Sequence, residues 1–290
     1  MPFTVGQGFS RLKSNLEITS AQSAGVSTTQ SNVREVINAG LDISSDFLTG
    51  SYQRNTMIAP LKTADVDIFF VLYSKYFQTY QTNPAGLLDK VRDVLLKTYT
   101  RTPAISRNGQ AVTIRFDDFT VDVVPGFSRE GGGYLIPNSS TASWISTDPK
   151  VHVQIWSTEN TAHNGDLVPL IKMLKCWNRE NGELLTSFHL ECLILKVLKG
   201  VGISSYQSAV QYFFNHARSM IDVPCADPAG YSGNVGQYLN TYDKKEAVKA
   251  RLQRGYDNAY RASQFEAQDQ ISNAYSRWKQ VFGDWFPNYG

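Results

Sequence analysis

Asp65 and Asp67 open a run, Asp65-Val-Asp67-Ile-Phe-Phe-Val-Leu72, in which everything after the second acid is apolar. Side chains alternate along a strand, so the two carboxylates face one way while Val66 and Ile68 face the other. Like charges a few ångströms apart repel and are costly to desolvate. A divalent cation removes that cost, and hard oxygen ligands suit Mg²⁺ or Mn²⁺ shared with the phosphates of a substrate. Upstream stands Gly50-Ser51. The glycine allows close backbone approach to a phosphate, and the serine hydroxyl and neighbouring N–H groups can donate to it. A third acid, Asp122, lies in Phe119-Thr-Val-Asp122-Val-Val-Pro125 between valines. Three carboxylates can hold two metals ~3.5–4 Å apart, the arrangement for in-line phosphoryl or nucleotidyl transfer.

The elements that must position these residues are readable in outline. Phe47-Leu-Thr49 predicts a short strand delivering Gly50. Tyr52 to Ala64 reads as the loop between phosphate site and acids, with Arg54 and Lys62 in it. Ala111 to Phe116 alternates and pairs as a hairpin with Thr120 to Val124, Asp117-Asp118 forming the turn. Gly131-Gly-Gly133 follows a strand without a helix behind it and receives no phosphate role. Amphipathic helices are expected from Thr28 to Phe47, broken at Gly40, and from Pro84 to Tyr99. Residues 1 to about 27, rich in Ser, Thr, Gly and Gln, read as loosely structured, with a short helix around Phe9 to Leu16.

From Trp156 onward the pattern is helical. Asp166 is expected to cap a helix through Leu170, Ile171, Leu174 and Trp177, with Pro169 in its first turn. Ser187 starts another, ended by Gly200. Further helices are expected from Ser208 to Met220 and over most of Lys244 to Phe282.

Composition narrows the function classes. The 290 residues are 42% hydrophobic and 19% charged, with a net charge of +2. That balance does not advertise a broad nucleic-acid surface. The three cysteines, Cys176, Cys192 and Cys225, follow no CxxC or Cys/His zinc spacing,. Cys176 and Cys192 lie in helical patterns and read as buried thiols, which fits a reducing cytoplasm. No basic-then-apolar leader and no membrane-spanning stretch is expected.

Gly50-Ser51, Asp65-Val-Asp67 and Val121-Asp122-Val123, taken in order, resemble the polymerase-beta-like nucleotidyltransferase superfamily. The second half narrows the resemblance. Leu170-Ile-Lys-Met-Leu-Lys175-Cys-Trp177-Asn178, then Ser187-Phe188-His-Leu-Glu191, then Asp227-Pro228 and Asn234, look like the bacterial cGAS/DncV-like nucleotidyltransferases (CD-NTases). The resemblance runs from about residue 30 to about residue 280.

It implies an α+β, bilobed fold: a nucleotidyltransferase core with an N-terminal helix over residues 1–155, and a mostly helical lobe over 156–290 closing a nucleotide cleft. It implies a metal-dependent enzyme making a cyclic di- or trinucleotide second messenger from nucleoside triphosphates, in anti-phage defence (CBASS). Asp65, Asp67 and Asp122 would be catalytic and would hold two Mg²⁺ or Mn²⁺ ions per active site. Gly50, Ser51, Lys175 and Ser187 would hold the triphosphate, and Phe188 would stack on a base. Each of the last three has a plainer role open to it: a solvated helix edge, an N-cap, a core aromatic. Glu191 reads as structural, and His163 and Asn164 as candidates to face an acceptor base. The implied partners are nucleoside triphosphates, a downstream effector reached through the product, and a regulatory protein. No membrane is implied, and without a zinc module direct binding of long double-stranded DNA is not expected. Two other readings remain open: a nucleotidyltransferase making linear oligonucleotides or modifying RNA or protein, and a non-catalytic nucleotide-binding protein.

Overall fold

The computed structural model describes residues 4–101 and 104–290. The chain divides into two compact units, Ile18–Ile155 and Met1–Glu17 with Trp156–Gly290. Among the described residues the strands of the first unit form one seven-stranded sheet: β1 (Ile43–Thr49), β2 (Asp65–Leu72), β3 (Ile105–Asn108), β4 (Ala111–Arg115), β5 (Thr120–Ser128), β6 (Tyr134–Asn138) and β7 (Ser143–Thr147). The order is β1-β2-β5-β4-β3, with β6 and β7 continuing from the far end of β5. Only β2 and β5 run parallel.

The sheet explains its own sequences. β2 lies between β1 and β5, and from Ile68 onward it is buried on both faces, which is why its second half is continuously apolar,. Its even-numbered residues Val66, Ile68, Phe70 and Leu72 join a core with apolar stripes from two helices, α2 (Ser20–Gly40) and α5 (Pro84–Thr98). Val33 and Ile37 of α2 and Leu87, Leu88, Val91, Val94 and Leu95 of α5 are buried there. Each such side chain contributes about 1.5–3 kcal/mol on burial. Asn83 caps α5 through the Gly86 amide, with Pro84 opening the helix,. On the opposite face Phe69 and Val71 form a smaller cluster with Ile136, Phe47, Val124 and Tyr134.

The second unit is helical. It contains α1 (Val5–Asn15), α7 (Leu167–Glu180), α8 (Ser187–Leu198), α9 (Tyr206–Met220), α10 (Tyr242–Ala267) and α11 (Ile271–Phe282). The boundary between the units falls inside α6 (Pro149–Ala162); short helices α3 (Gly50–Gln53) and α4 (Ser74–Tyr80) complete the set named here. No described helix is long and apolar enough to cross a membrane.

Several expectations change. The N-terminal stretch is ordered: α1 and α2 fill it, each opened by a capping box, Thr4 with Gln7 and Thr19 with Gln22,. Residues 1–3 of that stretch lie outside the described residues. Residues 4–17 pack with the helical unit and not with the sheet. The reason is Phe9, whose ring meets Trp278, Phe282 and Phe286 edge-on at 4.8, 5.8 and 5.4 Å, while Lys172 of α7 pairs with Glu17 at 2.7 Å. Asp166 makes no side-chain cap on α7. Asn160 accepts from the Val168 amide instead, and Asp166 accepts from the Tyr206 hydroxyl. Ser187 is not the cap of α8: Thr186 is, accepting from the His189 amide.

Candidate active site

The sheet unit brings the three aspartates onto one face. Asp67 pairs across the parallel ladder with Asp122, and Asp65 with Thr120. Thr49 pairs with Asp67 on the β1 side, and Thr113 with Asp122 on the β4 side. Residues directly paired across a sheet share a face, and neighbouring strands lie about 4.8 Å apart. One row therefore reads Thr49, Asp67, Asp122, Thr113, with Asp65 one step along β2 on the same side.

Hydroxyls on neighbouring strands receive two of the acids. Thr113 donates to Asp122 and Thr120 donates to Asp65. The Asp122 carboxyl is nonetheless pushed up from its ordinary value. Burial is the main cause and the Asp65 charge adds to it, while the Thr113 hydrogen bond pulls the other way,. Among the described residues no group of three or more His, Cys, Asp or Glu side chains is gathered tightly into a metal cluster. The donor set still fits a hard divalent cation. It is all oxygen, carries excess negative charge felt at Asp122, and is the kind of carboxylate pair that shares Mg²⁺ with substrate phosphates.

β1 ends by delivering Gly50 against these acids. Gly50 has φ +66°, and a Cβ there would stand 1.7 Å from Asp67 Oδ2. Both facts demand glycine: the backbone is left-handed, and the space is filled by a candidate ligand. Ser51 follows half-buried, its carbonyl accepting from the Thr56 and Met57 amides, which folds the loop back beneath it. Arg54 closes α3, and Lys62 is exposed.

The remaining candidates belong to the helical unit. Lys175 of α7 is buried and pairs with Glu191 of α8, Nζ to Oε1 at 3.2 Å. Ser187 opens α8 with its side chain exposed. Phe188 is half-buried and stacks on Trp156 at 5.9 Å and 16°. His163 does not face an acceptor: it is buried, with its ring nitrogens 2.7 and 3.2 Å from the carbonyls of Glu159 and Leu198. Asn164 sits in the turn beyond it with φ +54°. Cys176, Cys192 and Cys225 are buried free thiols, the first two as expected.

Two residues escaped sequence reasoning, Thr113 and Thr120, which hold the acids; for Thr113 the available signal was a polar residue between Val112 and Ile114. Lys175 and Glu191 were both singled out, but not their pairing, because the contact joins two helices.

Comparison with known proteins finds relatives along most of the chain. The model of the Second Messenger Oligonucleotide or Dinucleotide Synthetase (SMODS) domain matches residues 3–160. A cyclic AMP-AMP-AMP synthase of Acinetobacter sp. (strain ATCC 27244 / 9458) is 29% identical over 312 residues, covering 98% of this chain and 86% of that protein. A probable cyclic nucleotide synthase of Bacillus cereus (strain VD146) is 26% identical over 83% of this chain and 81% of its own length. Among solved structures, the chain matches E. coli MS115-1 CdnC with ATP at a TM-score of 0.79 and 18% identity, covering 98% of this chain and 99% of that one. It matches Vibrio cholerae DncV cyclic AMP-GMP synthase, in complex with the linear intermediate 5′ pppA(3′,5′)pG, at a TM-score of 0.81 and 13% identity over 99% and 97% of the two chains. At those identities the two structures bear on the fold alone.

Proposed function

The chain belongs to the Second Messenger Oligonucleotide or Dinucleotide Synthetase (SMODS) family, and from that premise we propose that Asp65, Asp67 and Asp122 are the catalytic acids with which it joins nucleoside triphosphates into a cyclic di- or trinucleotide. The enzyme is a nucleotidyltransferase and cyclic oligonucleotide synthase of the CBASS anti-phage type, and its fold is α+β. The observation that carries the site is the Asp67–Asp122 pairing, with Gly50 closed against Asp67 and the Asp65 charge felt at Asp122.

Asp65 and Asp67, with Asp122, would hold divalent cations, Mg²⁺ or Mn²⁺, two per site. When bound, such ions acidify a ribose hydroxyl and offset the charge of the triphosphate. The remaining work falls to side chains. Gly50 and Ser51 bind the triphosphate, the glycine by close approach and the serine by its hydroxyl. Lys175 and Ser187 bind phosphate oxygens, and Phe188 stacks on a base. Asp122 takes the proton of the attacking hydroxyl. The ribose oxygen bonds to the α-phosphorus as the bond to the bridging oxygen breaks, and pyrophosphate leaves. A second transfer within the linear product closes the ring.

The product would reach a downstream effector. A regulatory protein is proposed as partner, as E. coli CdnC is described in complex with HORMA-deltaN. The free thiols support a cytoplasmic site of action,.

The test is incubation with the four labelled nucleoside triphosphates and Mg²⁺ or Mn²⁺, followed by phosphatase and chromatography. A resistant product that disappears in Asp65→Asn/Asp67→Asn is expected, and leaving out each triphosphate in turn names its bases. A product digested completely to nucleosides would mean linear synthesis. A double variant with intact product formation would overturn the site.

A further inference from the structure

The helical unit buries an ion pair between α7 and α8. Lys175 Nζ lies 3.2 Å from Glu191 Oε1, with the two side chains 8% and 0% exposed. Their neighbours along the helices, Leu174, Cys176, Leu190 and Cys192, are buried too. Apolar side chains of similar volume would fill such a place without the desolvation penalty, so the pair is not explained by stability. What an ion pair supplies, and an apolar pair does not, is a charge held at a fixed point.

That point is particular. Glu191 lies four residues after Ser187, one turn along α8 and on the same face,. Helical side chains lean toward the helix N-terminus, so the Glu191 carboxylate reaches back toward the turn that carries Ser187. The Lys175 ammonium lies against that carboxylate. A lysine stem is flexible, and ordering it only when a ligand arrives weakens binding; a partner that orders it beforehand removes that loss. Burial disfavours an ammonium, and an adjacent carboxylate keeps it charged.

We propose that Glu191 is a positioning residue for nucleotidyl transfer: its carboxylate holds the Lys175 ammonium, charged and in place, one helical turn from Ser187 at the end of α8 that receives the triphosphate. The proposal rests on the reading of Lys175 as a triphosphate ligand. Glu191 itself touches no substrate; it acts through Lys175.

The experiment is a double-mutant cycle read by steady-state kinetics on the full chain, using Lys175→Met, Glu191→Met and the double variant, with Glu191→Gln alongside. Lys175→Met is expected to raise KM for nucleoside triphosphate about tenfold, the scale of one charge-assisted hydrogen bond, with a smaller change in kcat. Glu191→Gln is expected to raise KM by a similar factor. The double variant should match Lys175→Met alone within about twofold, since effects through one group do not multiply. It removes both charges together and so is expected to fold even where Glu191→Gln is too unstable to assay. A normal KM in Glu191→Gln, or a double variant worse than Lys175→Met by the full Glu191 factor, would overturn the positioning role while leaving Lys175 as a ligand. An unchanged KM in Lys175→Met would overturn both, and the aspartates would still be judged separately by their own double variant.

Discussion

The two units arrange charge in opposite ways. On the sheet, like charges are set side by side: Asp67 pairs with Asp122, and burial and the Asp65 charge push the Asp122 carboxyl up. In the helical unit, opposite charges meet in the Lys175–Glu191 pair. The first arrangement is unfavourable without a counter-charge, in keeping with the cation site proposed there. The second carries its own counter-charge, and its proposed use is to hold a charge still. The carboxylates are exposed or half-buried and call for a counter-charge, whereas the buried lysine and glutamate supply one to each other.

Removing the demand should abolish chemistry without unfolding the protein. Asp65→Asn/Asp67→Asn is expected to lower product formation by roughly 10³-fold or more, because several kcal/mol of charge stabilisation in the transition state is lost. Its melting curve should stay at or above that of the wild type, and a collapse of the fold would show that the acids are structural after all.

Breaking the closed pair should do the reverse. Lys175→Met leaves Glu191 buried without that partner and is expected to destabilise the protein by about 3–5 kcal/mol in urea titration. Lys175→Met/Glu191→Met should recover most of that loss. Equal stability of the single and double variants would mean the pair is not buried together in solution.

Gly50→Ala probes the seam between backbone and acid. The added methyl meets Asp67 Oδ2 at a left-handed backbone position, so the carboxylate must move. A displacement near 1 Å is expected to lower kcat/KM by about 10²-fold. Wild-type kinetics would show that Asp67 does not need its present place.

The smallest effect is the most diagnostic of the sheet's strain. A carboxyl whose pKa is raised by folding binds its proton more tightly in the folded state, so ionised Asp122 lowers stability at neutral pH. The penalty disappears as pH falls through the folded pKa. Asp122→Asn should therefore raise the melting temperature at pH 7 in metal-free buffer, by an amount that shrinks on acidification, while activity is lost. Added Mg²⁺ should stabilise the wild type more than the variant. A variant less stable than wild type at pH 7 would reverse the sign argued for Asp122.

How much was legible differs between regions for physical reasons. Asp65, Asp67 and Asp122 stood out because charge inside an apolar strand is rare and alternation alone puts Asp65 and Asp67 on one face. The N-terminal helices were read only in part, around Phe9 to Leu16 and from Thr28 to Gly40, because Ser- and Thr-rich composition hid the full stripe Val5, Phe9, Leu12, Leu16 and the capping boxes at Thr4 and Thr19. Asp166 looked like a cap by type and position, but Asn160 reached the amide first and Tyr206 engaged the acid. His163 looked polar and available; in the fold it is buried between two carbonyls.

Local patterns determined which residues carry charge, which strands hold the acids and where the chain must turn, because those depend on neighbours a few positions away. The family, and with it the chemistry, followed from that order of motifs. Pairings between distant segments were decided only in three dimensions: Asp67 beside Asp122, the Gly50 backbone against Asp67, Phe9 among the aromatics of the C-terminal helix, and Lys175 on Glu191. Such contacts depend on register and helix packing, and neither is encoded within a single turn or strand.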